Sequence, residues 1–278
     1  MLDSQHSIER YAPTEVEHRY GDNVHIVASP MALSQLATLC SEETLQPTIN
    51  DLVKELYRSL LGHVINQELP KVRRSVRSRM CEVLERDGDD PGRGLIEAVM
   101  LDQSTPVVTV DIARAGILPS LTCYEILNRM LDPRHVRQDH LIVSRAVNAS
   151  DEVVGAHIAG DKIGGPIDGR IVLFPDPMGA TGSSLSTAIQ YYKNAYGGQA
   201  LKLITLNLIF TPEFIRRIKA DHPEVIMYAL RLDRGMSSAD VLTSIPGSRW
   251  DEECGLNGHG YIVPGGGGFG EIMNNAWI

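Results

Sequence analysis

The sequence of 278 residues has few cysteines, few aromatic residues and no excess of positive charge. Its four cysteines lie far apart and form no C-x-x-C pair, which disfavours a disulfide framework or a zinc site and fits a reducing cytoplasm: Cys40, Cys81, Cys123 and Cys254. The formal net charge of −9 disfavours nucleic acid as a partner.

Long hydrophobic runs are also missing. No stretch of eighteen apolar residues occurs, and the first residues, MLDSQHSIERY, are polar, so we expect neither membrane insertion nor secretion. The nine histidines show no H-E-x-x-H spacing, and no Ser/His/Asp or Cys/His constellation suggests a covalent nucleophile. These absences disfavour metalloprotease-type and acyl-transfer chemistry.

Residues 1–22 carry few apolar anchors and are predicted to form an amino-terminal arm suited to a partner subunit. Residues 23–278 are predicted to form a single domain. Its first part, from Met31 to Val83, has leucines and valines spaced three and four apart, which predicts helices. In the second of these helices, Thr48 is the expected cap and Asp51 lies near the first turn.

The rest of the chain alternates between apolar strand patterns and amphipathic helix patterns. We predict strands in PVVTVDI, HLIVSRAV, GRIVLFP, LKLITLNLIF and VIMYALRL, and helices in LPSLTCYEILNRML, SLSTAIQYYKNAY and TPEFIRRIKADH. This order predicts an α/β fold with a mostly parallel sheet flanked by helices. Ligands of such sheets bind at the carboxyl ends of the strands, which is where the polar clusters of this sequence fall.

The stretch FPDPMGATGSS, residues 174–184, follows one of these strands. Gly179 and Gly182 allow a ligand to approach the main chain, and the N–H groups of residues 180–184 open the next helix without helical partners. Such a turn binds anions. The Asp176 carboxylate would repel an anion and instead suits sugar hydroxyls or a metal held through water. The stretch therefore predicts a site for a phosphorylated sugar, with further hydroxyl donors on Thr181, Ser183 and Ser184.

A capped helix after a tight turn is the alternative interpretation of this stretch, because Ser, Thr and Gly are ordinary cap and turn residues. The sequence has neither the G-x-x-x-x-G-K-[ST] loop nor the G-x-G-x-x-G turn of other phosphate sites. The ordered combination of strand, aspartate, Ala-Thr-Gly and hydroxyls favours the ligand site.

Three segments together resemble the uracil phosphoribosyltransferase branch of the type I phosphoribosyltransferases. DPMGATGSS is similar to the loop that binds phosphoribosyl pyrophosphate (PRPP), typically D-P-M-x-A-T-G-x-S. ARAGILPSL, residues 113–121, resembles the segment that contacts pyrophosphate. HGYIVPGGGGFGE, residues 259–271, resembles the carboxy-terminal stretch that holds uracil.

The resemblance implies a reaction and a set of PRPP-binding residues. The expected activity is transfer of a phosphoribosyl group from PRPP to uracil, giving UMP and pyrophosphate, with Mg²⁺ carried by PRPP and no direct metal ligands in the protein. The expected catalytic residues are Arg114, Arg145 and Asp176, with Arg145 on a mobile loop over the pyrophosphate. The expected PRPP contacts are Asp176, Met178, Gly179, Ala180, Thr181, Gly182, Ser183, Ser184, Arg114, Ala115 and Gly116.

The carboxy-terminal stretch is expected to hold the base through main-chain groups that its glycines expose, which would separate uracil from cytosine. A flexible linker is the alternative interpretation of so many glycines. By resemblance, the base-binding residues are Tyr261, Ile262, Val263, Gly265, Gly267, Gly268 and Phe269. The resemblance also implies a homo-oligomer, a dimer or a tetramer.

The sequence departs from the family pattern beside the expected base site. Gly268 and Glu271 stand where the family usually has aspartates, and an insertion at about residues 236–255 could cap the base pocket or form a subunit contact. Two alternatives to uracil transfer therefore stay open. One is a catalytically impaired PRPP or nucleotide sensor, or interaction protein, of the same fold. The other is a phosphoribosyltransferase that uses another base.

Overall fold

The computed structural model describes residues 11–147, 153–195 and 198–276. Its main element is an eight-stranded sheet in the order β1-β10-β9-β7-β4-β5-β6, with the short β8 paired to β9. The strands are β1 (Val24–Ile26), β4 (Val107–Ala113), β5 (Val136–Val147), β6 (Val153–Lys162), β7 (Ile171–Pro175), β8 (Met178–Gly179), β9 (Lys202–Phe210) and β10 (Ile226–Leu232). Every pair in the sheet is parallel except β5 with β6.

Helices cover both faces of this sheet, as the alternating apolar patterns predict. The helices are α1 (Pro30–Leu39), α2 (Thr48–Glu68), α3 (Arg79–Asp87), α4 (Ile117–Met130), α5 (Ser183–Ala195), α6 (Pro212–Asp221), α7 (Ala239–Leu242) and α8 (Phe269–Ile272). Buried side chains of α1, α2 and α4 pack on one face, and those of α5 and α6 pack on the other. Because both faces are covered, strands such as β7 are buried along their whole length.

The prediction that residues Met31 to Val83 are helical is wrong in one part. After α2 the chain forms β2 (Lys71–Arg77), which pairs antiparallel with β3 (Leu95–Leu101), a strand that the sequence analysis did not identify. β2 has an exposed surface along most of its length, so it lacks the alternation of buried and exposed positions that marks a strand. The pairing with β3 is therefore a tertiary effect that local periodicity does not reveal.

The expected cap of α2 is also wrong. Thr48 is the first helical residue, and the cap position is Pro47, which makes no side-chain hydrogen bond to the helix. A main-chain bond replaces the side-chain cap in part, since Ile49 N–H donates to Leu45 O at 3.2 Å. Asp51 lies in the first turn as expected.

The predicted arm begins outside the described residues, because residues 1–10 are not among them. Its later part folds back on its own chain: the ring of Tyr20 is 1% exposed and meets Trp250 edge to face at a centroid distance of 5.2 Å. The Tyr20 hydroxyl donates to the buried carboxylate of Glu253. The end of the arm thus packs against the insertion.

Asp139 ties the base of the β5–β6 hairpin to α5. Its buried carboxylate accepts hydrogen bonds from the Arg137 guanidinium at 2.9 Å, from Gly164 N–H at 2.9 Å and from the Tyr192 hydroxyl. We expect Asp139→Asn to lower the free energy of unfolding by about 3 kcal/mol, because it leaves the Arg137 charge without its partner. Chemical denaturation measures this change.

The control for this prediction is Asp22→Asn, since Asp22 is exposed. We expect this control to stay within about 0.5 kcal/mol of the wild type. A loss in Asp139→Asn no larger than that of the control would contradict the role of the carboxylate.

Candidate functional site

The loop from Asp176 to Gly182 leaves the carboxyl end of β7 and is pinned to the end of β9. Within it, β8 pairs with β9, and the Thr211 hydroxyl donates to Ala180 O at 2.7 Å. Gly179 packs so closely that a Cβ there would lie 2.8 Å from Phe210 Cβ. The loop is therefore held in shape by the sheet and by the start of α6.

The main chain of this loop presents open donors. Of the five N–H groups from residues 180–184, that of Ala180 donates to Met178 O at 3.1 Å and that of Ser183 to Thr181 Oγ1 at 3.3 Å. Within the part of the chain that the structure describes, the N–H groups of Thr181, Gly182 and Ser184 have no partner. Gly182 has φ +76°, a conformation that favours glycine. Three open amides at the start of α5 are able to donate hydrogen bonds to an anion.

The Asp176 carboxylate lies at the mouth of the same loop. Its Oδ1 accepts from Met178 N–H at 3.0 Å, while no described group donates to Oδ2. Burial raises the pKa of Asp176 to about 6, and the Met178 hydrogen bond opposes this shift only in part. An aspartate with one oxygen held and the other open can accept hydrogen bonds from ligand hydroxyls.

The Arg114 segment lies beside this loop. Arg114 follows β4, and the next turn is so close to β7 that a Cβ on Gly116 would lie 3.1 Å from Pro175 O. The same Cβ would lie 2.8 Å from Ile112 N and O, so this position accepts only glycine without movement of the main chain. The side chain of Arg114 is about two-fifths exposed and remains reachable by a ligand.

The carboxy-terminal stretch reaches both of the other segments. A Cβ on Gly266 would lie 3.2 Å from Met178 Cε, and a Cβ on Gly270 would lie 3.9 Å from Ala115 N. Glu271 Oε1 lies 3.5 Å from Arg114 Nη2. The three segments that the sequence analysis singled out therefore meet at one place on the carboxyl edge of the sheet.

Two residues that the sequence analysis did not assign to the site hold the carboxy-terminal stretch in place. The buried Asp233 accepts from Gly265 N–H at 2.8 Å, and Arg231 donates to Gly265 O at 3.0 Å. Arg231 and Asp233 also pair with each other at 2.6 Å. Burial acts to lower the pKa of Arg231, but the bonds and charge of Asp233 outweigh it and raise that pKa. Residues two positions apart at the end of a strand lie on the same face, so the arginine and aspartate in this spacing are the sequence pattern that could have indicated the pair.

The insertion supports the same stretch from its far side. Val263 N–H donates to Gly255 O at 2.8 Å, and Gly235 N–H donates to Val263 O at 2.9 Å. Arg234 donates to the buried Glu253 at 2.8 Å. The end of the insertion thus forms part of the wall beneath residues 262–265.

The remaining predicted site residues have different surroundings. The Tyr261 side chain is 58% exposed, whereas Phe269 is 2% exposed and its ring lies in the hydrophobic core, and Ile262 is half-buried against that core. Gly267 has φ +83° and open space around it. Arg145 lies in β5 opposite Ala156, but its side chain lies outside the described part, as do residues 148–152 of the expected mobile loop.

Clustered metal ligands and membrane-spanning helices are both absent from the described ranges. No group of three or more His, Cys, Asp or Glu side chains there could hold a metal ion. No helix in residues 11–147, 153–195 or 198–276 is long and apolar enough to cross a membrane.

Comparison with solved structures agrees with this architecture. The AQ2163 protein from Aquifex aeolicus is similar over 92% of this chain and 99% of its own length, with a TM-score of 0.66 and 20% sequence identity. The mostly parallel sheet, with its polar loops at the carboxyl edge, is the fold of the type I phosphoribosyltransferases.

Sequence comparison identifies the family. The uracil phosphoribosyltransferase family model matches residues 26–248, and this chain belongs to that family. The uracil phosphoribosyltransferase of Caldanaerobacter subterraneus is 39% identical over 112 residues, which cover 40% of this chain and 42% of the relative. That of Acinetobacter baylyi is 34% identical over 121 residues, or 44% and 46%. The matched part thus spans less than half the length of these curated relatives.

Proposed function

We propose that this protein transfers the phosphoribosyl group of PRPP to uracil and releases UMP and pyrophosphate. The observation that carries the proposal is the meeting of three segments: the loop at residues 176–184, the Arg114 segment and the carboxy-terminal stretch. The relatives that bear the name uracil phosphoribosyltransferase support the choice of base.

The loop would bind the 5′-phosphate, and Asp176 would bind the pentose. The open N–H groups of Thr181, Gly182 and Ser184 match the oxygens of a phosphate at a helix N-terminus. The open Oδ2 of Asp176 matches ribose hydroxyls. A charged carboxylate there also stabilises positive charge that develops in the ribose ring.

The transfer breaks the bond between C1 of the ribose and the diphosphate oxygen and forms a bond from C1 to a ring nitrogen of uracil. The diphosphate leaves with the electron pair, and the proton of the nitrogen passes to solvent. Negative charge therefore grows on the leaving group, and Arg114, with Arg145 by resemblance to the family, would stabilise it.

Magnesium fits this site as an ion that arrives with its substrate. Mg²⁺ binds through one or two carboxylates, water and substrate phosphates rather than through a full set of protein ligands. Within the described ranges no group of three or more His, Cys, Asp or Glu side chains could hold a metal ion, which fits an ion that the substrate carries. When bound, Mg²⁺ would neutralise charge on the diphosphate.

Main-chain N–H and C=O groups would form the wall of the base site. Gly265 is fixed on both its N–H and its C=O by Asp233 and Arg231, so the polarity of the neighbouring backbone groups cannot reverse. A base with the wrong donor and acceptor edge would leave such groups unpaired, which selects uracil over cytosine.

The test of the function is a competition assay. The protein is incubated with PRPP, Mg²⁺ and labelled uracil, with cytosine, adenine and hypoxanthine as unlabelled competitors. We expect labelled UMP, with little competition from the other bases. Binding of PRPP and UMP without turnover would contradict the enzyme and favour a sensor, and turnover with another base would contradict the choice of uracil.

We also propose a homo-oligomer, a dimer or a tetramer, with its substrates PRPP and uracil and its products UMP and pyrophosphate as the small-molecule partners. The predicted arm, residues 1–22, would contribute to the contact between subunits. Sedimentation of the full chain and of a variant without residues 1–10 tests this arrangement, and a monomeric full chain would contradict it.

Asp233 gives a prediction for the base site. We expect Asp233→Asn to raise the KM for uracil about ten-fold, because it weakens one charge-assisted bond to the Gly265 N–H. The KM for PRPP should change less than three-fold, since the loop at residues 176–184 has separate supports. Steady-state kinetics with each substrate varied in turn measures both constants, and equal increases in the two would contradict the assignment.

A further inference from the structure

Gly268 and Glu271 share one space in the site. Gly268 precedes α8 with φ −84° and ψ 95°, a conformation open to any residue, so its backbone does not require glycine. A Cβ built on Gly268 would overlap Glu271 Oε2 and lie 3.4 Å from Glu271 Cδ. The carboxylate of Glu271 therefore fills the space that a side chain at position 268 would enter.

The same carboxylate faces the diphosphate side of the site. Glu271 Oε1 lies 3.5 Å from Arg114 Nη2, with side-chain exposures of 38% and 41%. An ion pair this exposed adds little to stability, and a ligand can reach both groups. The carboxylate is thus available for binding rather than fixed as a structural support.

Its position indicates which part of a ligand it would meet. Glu271 lies between Arg114, which would hold the diphosphate, and residues 262–268, which would hold the base. In the transfer reaction the pentose is the unit that joins these two groups, so it must pass between them. An ionised carboxylate only accepts hydrogen bonds, and the hydroxyls of the pentose are donors.

We propose that Glu271 accepts hydrogen bonds from the ribose hydroxyls of the bound nucleotide, with its carboxylate in the space over Gly268. The proposal rests on the proposed function. It also explains the pair of departures from the family pattern as one change: the short side chain is lost at 268, and the longer side chain at 271 supplies the carboxylate.

The first test separates the ribose from the diphosphate. Calorimetry measures binding of UMP and of magnesium pyrophosphate to the full chain and to Glu271→Gln. We expect the Kd for UMP to rise about ten-fold, the range of one charge-assisted hydrogen bond. The Kd for pyrophosphate should stay the same or fall, because a negative charge beside Arg114 is removed. Glu125→Gln, an exposed position on α4, is the matched control.

The second test uses the shared space. Gly268→Ala adds a Cβ where the Glu271 carboxylate lies, and we expect it to weaken UMP binding by itself but to add nothing to Glu271→Gln. Glu271→Ala empties this space, and Gly268→Asp in the Glu271→Ala background returns a carboxylate to it. We expect the double variant to recover most of the UMP affinity that Glu271→Ala loses. Thermal unfolding of each variant shows that the fold is retained.

The outcomes separate this proposal from the function it rests on. If the wild-type chain binds neither UMP nor pyrophosphate and makes no UMP, the proposed function fails. If the wild type binds UMP and Glu271→Gln binds it equally well, the role of Glu271 is overturned. Equal losses of UMP and pyrophosphate affinity would also overturn it, because Glu271 would then act only through Arg114.

Discussion

Asp176→Asn should lower kcat by about 10²–10³-fold, because under the proposed function it removes a charge that would stabilise the ribose in the transition state. The substitution keeps the shape of the side chain, and asparagine Oδ1 can still accept from Met178 N–H. We therefore expect the fold to be preserved. Steady-state kinetics with saturating PRPP and uracil measures the loss.

The difference in stability between the same variant and the wild type should depend on pH in a defined direction. Burial raises the pKa of Asp176 from 3.8 to about 6, so the folded protein takes up this proton more readily than the unfolded chain. The buried charge lowers the free energy of unfolding above pH 6, and this loss disappears below about pH 4. Asp176→Asn should therefore have a higher Tm than the wild type at pH 8 and a similar Tm near pH 4.

The activity of the wild type should depend on the same carboxyl group, but it should increase with pH whereas the stability decreases. The kcat/KM of the wild type for PRPP should fall as the pH drops through about 6, because Asp176 is then protonated. A variant that retains wild-type turnover, or that is less stable than the wild type at pH 8, would contradict the account of Asp176.

Gly182→Ala should raise the KM for PRPP on the order of 10²-fold. Gly182 has φ +76°, which strains an alanine, and a Cβ there would lie 3.2 Å from Arg217 Cβ, so we expect alanine to shift the main chain of the loop. Such movement misdirects the open N–H groups, and the loss of two charge-assisted hydrogen bonds corresponds to about this factor. The KM for uracil should change much less.

Gly169→Ala is the matched control for backbone strain. Gly169 has φ +66° with open space around it, in the loop between β6 and β7. Both alanine variants should lose about 1 kcal/mol of stability, since both place a side chain in a left-handed conformation. Only Gly182→Ala should lose affinity for PRPP, and an equal loss in both variants would show that the effect comes from stability alone.

Much of the fold could be predicted from the sequence because its strands are buried on both faces. Segments such as β7 and β9 are continuous apolar runs that end in polar turns, and this pattern places the loops at one edge of the sheet. The α5 helix begins at Ser183, within one residue of its predicted start. Two segments of the candidate site follow from the same logic, since the Arg114 segment comes after β4 and the loop at residues 176–184 comes after β7.

The parts that could not be predicted depend on contacts between distant segments. β2 and β3 pair across α3, and neither strand has the alternation that would identify it alone. The bonds from Asp233 and Arg231 to Gly265 join residues more than thirty positions apart. The position of the Glu271 carboxylate over Gly268 likewise depends on the direction of a side chain, which the identities of the two residues do not specify.

The most direct test of the central claim is a crystal structure of the full chain with UMP. The account predicts phosphate oxygens within hydrogen-bond distance of the N–H groups of Thr181, Gly182 and Ser184, and ribose hydroxyls on Asp176. A nucleotide bound elsewhere, or a loop at residues 176–184 that stays empty at saturating UMP, would contradict it.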